Sequence, residues 1–103
     1  MCAEEKAALI GVQFREIKVR KYRKWGACRS DGTITINYCL SMLPAELQEY
    51  VVSHEVAHLR HMDHSKAFWG VVAELCPGYM ERRKQLKCYD NRRRQVYLPM
   101  DAE

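Results

Sequence analysis

The 103-residue chain carries 48% hydrophobic and 29% charged residues, enough apolar material for one packed domain over residues 1–103 and too much for a disordered segment. Its formal net charge is +4, a mild excess that reads first as solvated faces and second as a surface for an anionic partner such as nucleic acid. No apolar run nears the roughly 20 residues that cross a bilayer, no basic-then-apolar leader opens the sequence, and five cysteines without a CxxC pair argue against a disulfide scaffold and for reduced thiols in a cytoplasmic protein.

Residues 3–10 read as a short helix stopped by Gly11. Over 14–22 apolar and charged residues alternate, with Ile17 and Val19 on one face, which predicts a strand with one solvated side. Arg15, Lys18, Arg20, Lys21, Arg23 and Lys24 form a first basic group there. Residues 25–29 and 33–38 read as two strands joined by the turn Ser30-Asp31-Gly32, a β-hairpin. Pro44 then opens a helix over about 44–61, roughly 27 Å long at 1.5 Å per residue, with Glu46 at its positive end. On its wheel Glu46, Glu49, Ser53 and Arg60 fall on the solvated side. Val52, Val56 and Leu59 fall against the core, with His54 and His58 between. Asp63 or Ser65 caps a second helix over about 65–75, whose stripe is Phe68, Val71, Val72 and Leu75; Phe68 and Trp69 read as core. Pro77-Gly78 breaks it. A basic helix over about 78–89 follows, bearing Arg82, Arg83, Lys84 and Lys87. The tail from about residue 91 is polar, lacks a clear period and reads as flexible.

Residues 54–64 carry the chemistry. They contain an HExxH motif, His54, Glu55 and His58, and a further histidine, His64. Two histidines four apart share a helix face and can grip one ion, while Glu55 beside them can take a proton from a metal-bound water. Chance matches to HExxH sit among solvated residues; here Tyr50, Val51, Val52, Val56, Ala57 and Leu59 surround it, and buried histidine and glutamate need a partner. Three imidazoles with one open position describe a catalytic zinc site. His61 shares the face of His54 and His58. Its backbone stands about 10 Å from that of His54 along the axis, and three ligands stacked on one straight helix cannot surround an ion. His64, past the helix end, can bend back.

The run His54-Glu55-Val56-Ala57-His58, with Asp63-His64-Ser65 and Phe68-Trp69, Trp25-Gly26-Ala27-Cys28 and the hairpin ahead of it, and Pro77-Gly78-Tyr79 after it, resembles the YgjP-like metallopeptidase family. These are predicted metal-dependent hydrolases of the zincin type, distantly similar to SprT-like proteins. The resemblance covers about residues 17–86. It implies an α+β, zincin-like fold with a small antiparallel sheet packed on the motif helix, one zinc held by His54, His58 and His64, and Glu55 as general base. Two features depart from the family pattern: family members usually carry a longer, strand-rich amino-terminal region, and usually have serine where Ala27 stands. Metzincins share the histidine spacing but place glycine at the position of His61.

The resulting expectation is a zinc-dependent hydrolase, most simply a metallopeptidase acting on a peptide. Tyr79 or an arginine would serve the transition state, and Trp25, Cys28 or the 33–38 strand would contact substrate. Three alternatives stand beside it. They are hydrolysis of a nucleotide phosphoanhydride, a DNA-associated protease like the SprT-like proteins, and a metal module without turnover.

Overall fold

The computed structural model describes residues 3–21 and 24–94. Of the sequence expectations, those on Arg23 and on the tail beyond residue 94 lie outside them. The elements in order are α1 (Ala3–Leu9), β1 (Glu16–Arg20), β2 (Gly26–Cys28), β3 (Thr33–Asn37), a 3-10 turn (Tyr38–Met42), α2 (Ala45–Ala57), α3 (Lys66–Leu75) and α4 (Tyr79–Arg94). This is an α+β arrangement with a three-stranded sheet beside the helices.

The sheet order is β1-β3-β2. β2 and β3 form the expected antiparallel hairpin, Gly26 opposite Ile36 and Cys28 opposite Ile34. Its turn is built as its residues demand. Gly32 takes a positive φ of 93°, and the Asp31 carboxylate accepts from Thr33 N at 2.9 Å. β1 departs from expectation: it pairs with β3 in parallel, Ile17 beside Ile34, so the sheet is mixed rather than antiparallel. The cause is Trp25, which is fully buried. Trp25 stands at the start of β2, on the far edge of β3 from β1. There Asn37 N bonds Trp25 O at 2.9 Å, and the Asn37 amide donates to Lys24 O at 3.0 Å. β1 is left as the opposite edge, with Val19 65% exposed, so its apolar residues face solvent rather than core.

α2 begins at Pro44, whose carbonyl accepts the first helical bonds. It is covered on most sides: α1, α3, α4 and β2 all pack on it. Ser53, read as solvated, is buried for that reason, and its hydroxyl donates to Glu49 O at 2.7 Å. α1 crosses this side, with the fully buried Lys6 reaching Glu49 at 3.2 Å and Leu75 O at 2.8 Å. Arg60 ties the end of the motif to the turn that follows α1, donating to Ile10 O at 2.6 Å. Regular helix stops at Ala57, short of residue 61. α4 runs on to Arg94, past residue 89, so residues 91–94, read as the start of the tail, are helical. The core gathers Trp25, Ile34, Leu47, Tyr50, Val56, Phe68 and Leu86.

Candidate metal centre

His54 sits in the last turn of α2, 2% exposed, and His58 is the residue that caps the helix, 8% exposed. Their rings meet edge-on with centroids 4.9 Å apart. Beyond Ala57 the chain tightens, with Leu59 N bonding Val56 O and Arg60 N bonding Ala57 O. Ser65, not Asp63, caps α3, its hydroxyl accepting from Phe68 N at 3.3 Å. That cap fixes where the chain turns and so holds His64, the residue before it, against the other two. Its ring centroid lies 5.4 Å from that of His54 and 4.9 Å from that of His58. The three residues offer ring nitrogens that all lie within 4.8 Å of one another.

The surroundings fit a metal. Nε2 of His54 is buried and has no hydrogen-bond partner among the described residues. Such an orphan costs about 1–3 kcal/mol unless an ion takes it. His58 Nδ1 pairs with the His61 carbonyl at 3.0 Å, which orients the ring and leaves its other nitrogen for the ion. Burial, ahead of the neighbouring histidines, holds His58 below the usual histidine pKa, favouring the neutral form that metals bind. Phe68, fully buried, stacks on His58 at 4.4 Å between centroids, and Trp69 lies 6.1 Å from His64 with near-parallel rings. Both residues expected in the core thus also form the wall behind the ligands.

Glu55 is 3% exposed, with Oε2 3.3 Å from His54 Nδ1. It lines a cleft of about 200 Å³ with the three histidines. Gly26, Ala27 and Cys28 of β2 form the facing wall, flanked by Lys24 and Met62. Gly26 lies against the glutamate: a Cβ there would stand 3.0 Å from Glu55 Cγ and 3.2 Å from Oε2. Cys28 is therefore at the cleft. Burial first, then Glu55 and Asp31, push its thiol up to about 12, so it stays protonated. Trp25 is in the core rather than the cleft wall. Tyr79 stacks on Trp69, centroids 5.4 Å apart, and is not among the residues lining the cleft.

Sequence reasoning missed Lys24, Met62, the seat that Gly26 gives Glu55, and the backbone role of His61. Only Gly26 carried a signal, a glycine at the start of a short strand, where close backbone approach is the usual reason.

The model of the YgjP-like metallopeptidase domain matches residues 2–89, and the chain belongs to that family. Its fold is similar to the crystal structure of the metallopeptidase zymogen of Pyrococcus abyssi abylysin. The two share 28% identity and a TM-score of 0.67, over 96% of this chain and 95% of that one. A comparison with curated proteins finds no significant match.

Proposed function

We propose that this YgjP-like metallopeptidase is a zinc-dependent peptidase holding one zinc per chain with His54, His58 and His64, with Glu55 as general base. The observation that carries the reading is the orphaned, buried Nε2 of His54 in a group of three converging imidazoles, with a buried carboxylate beside it. All-nitrogen donors suit zinc, which when bound supplies Lewis acidity and brings the pKa of a bound water towards about 7.

Glu55 takes the proton of the attacking water and returns it to the leaving amine. Its position for that task comes from two contacts, the His54 ring on one side and the Gly26 backbone on the other. Lys24, the cation on the cleft rim, is the candidate to meet charge developing on the carbonyl oxygen; Tyr79, turned to Trp69, is not. Substrate docks by strand addition to β2. β3 has both edges occupied, whereas β2 is an edge of the sheet among the described residues and faces the glutamate. No helix of the described residues is long and apolar enough to cross a membrane. The four described cysteines are unpaired, which supports a reducing compartment such as the cytoplasm.

The test is cleavage of a mixed peptide library, read by mass spectrometry. Zinc-loaded protein is expected to cut; chelator-stripped protein and Glu55→Gln are not. Equal cleavage by Glu55→Gln and the parent would remove Glu55 from the mechanism.

A further inference from the structure

The cleft carries one large apolar side chain at its mouth. Of the large apolar residues left exposed among the described ones, only Met62 lines it, at 50% exposure. A lone exposed apolar residue on an open surface needs no explanation. Met62 stands instead in the cleft with Glu55 and the β2 residues that take the substrate. Its backbone lies between two ligands of the triad. His61, the residue before it, is anchored by both backbone groups: its N bonds Ala57 O at 3.1 Å, and its carbonyl pairs with His58 Nδ1 at 3.0 Å. His64 comes two residues later, set by the Ser65 cap. A fixed backbone thus carries an unbranched, adaptable thioether side chain. Binding zinc and moving a proton make no use of it.

We propose that Met62 is a specificity residue that selects an apolar side chain, such as leucine or phenylalanine, on one of the two substrate residues flanking the cut bond. A peptide added to the edge of β2 turns successive side chains to opposite faces. Of two neighbouring residues, one therefore turns towards the ligand-bearing segment that holds Met62. The β2 wall across the cleft is lean, Ala27 contributing only a methyl group and Gly26 no side chain. The charged side chains of the cleft, Lys24 and Glu55, are committed to the chemistry, so the contact left for a substrate side chain is the thioether arm. Covering that arm removes apolar surface from water on both partners. A charged side chain would shed water there with only a weak sulfur acceptor in return. This inference rests on the peptidase reading.

Cut sites mapped in the mixed peptide library provide the substrates, peptides built on one site with each flanking residue varied in turn among Leu, Glu and Lys. The zinc-loaded parent is expected to prefer Leu by about tenfold in kcat/KM at one of the two positions, which is what covering roughly half of one such side chain supplies. Met62→Leu is expected to keep that preference. Met62→Ser, which removes the apolar arm, is expected to shrink it to within about twofold, and Met62→Glu to turn it towards Lys. Each readout is a ratio of two peptides on one preparation, so a variant that holds less zinc is still scored. Equal cleavage of the Leu, Glu and Lys peptides by the parent at both positions would overturn the proposal, as would a Leu preference that Met62→Ser and Met62→Glu leave unchanged. A zinc-loaded parent that cuts no peptide would refute the peptidase reading itself, whereas cleavage without preference refutes the role of Met62 alone.

Discussion

Gly26→Ala adds one methyl at the point where β2 meets the proposed general base. The new Cβ would stand 3.0 Å from Glu55 Cγ and 3.3 Å from the Thr35 carbonyl oxygen. Carbon atoms rest at about 3.5–4.0 Å, so the overlap with Cγ is on the order of 0.5–1 Å. Glu55 is 3% exposed and cannot swing into solvent, and Thr35 belongs to the central strand. The carboxylate must therefore yield. A displacement near 1 Å in a catalytic group costs about 100-fold in rate, so kcat is expected to fall about 10- to 100-fold. Overpacking costs about 1–3 kcal/mol of stability, read as a lower Tm. The histidines are not among the nearest atoms, so zinc affinity should stay within about threefold. Peptide cleavage, thermal melting and zinc titration measure the three quantities on one preparation. In the Glu55→Gln background Gly26→Ala should cause no further loss of rate, because the group it displaces is already disabled. A Gly26→Ala enzyme that turns over within twofold of the parent, or that loses rate only in step with lost zinc, would refute this account of Gly26.

Other consequences follow from the same contacts. His64→Ala is expected to weaken zinc binding by more than about 100-fold, whereas His61→Ala should leave it nearly unchanged, because His61 serves His58 through its backbone carbonyl; similar losses in both would reject the assignment. Removing zinc with a chelator should lower Tm by about 10 °C or more. A site at 100-fold excess ligand contributes about 2.7 kcal/mol, and 1 kcal/mol moves a domain of this size by about 4–8 °C; an unchanged melt would count against a structural share for the ion. The Asp31 carboxyl is held below its ordinary pKa by the Thr33 amide first, and by Arg29 and Arg15 less. A lowered folded pKa means that its stabilisation is present above about pH 4 and is lost as pH falls through the folded value. The stability gap between the parent and Asp31→Asn should therefore narrow below pH 4, and a gap that is constant down to pH 2 would contradict the turn contact.

The parts of the fold legible in the sequence were those governed by local chemistry. Asp31 and Gly32 specify the hairpin turn, Pro44 the start of α2, Ser65 the start of α3, and Pro77-Gly78 its end. The histidine triad was legible because helical spacing and a helix end leave few ways to surround an ion. Properties set by distant partners were not legible. Alternation in residues 14–22 gives a strand but not its neighbour, and the parallel pairing follows from where Trp25 is buried. Ser53 reads as a solvent residue on a wheel until α1 covers it. Trp25 and Tyr79 have the chemistry of substrate contacts, but packing puts one in the core and the other against Trp69. The environment of Glu55 depends on a glycine 29 positions earlier in the chain, a proximity that only the packed hairpin creates.

The central claim is that zinc on His54, His58 and His64, with Glu55 beside it, breaks peptide bonds. Its most direct test is a titration of zinc into chelator-stripped protein, following new amino termini in a peptide mixture. The account predicts cleavage that rises from zero, saturates at one zinc per chain, and is absent in Glu55→Gln loaded to the same stoichiometry. Zinc bound one to one without cleavage, or cleavage that persists in the stripped protein, would contradict it.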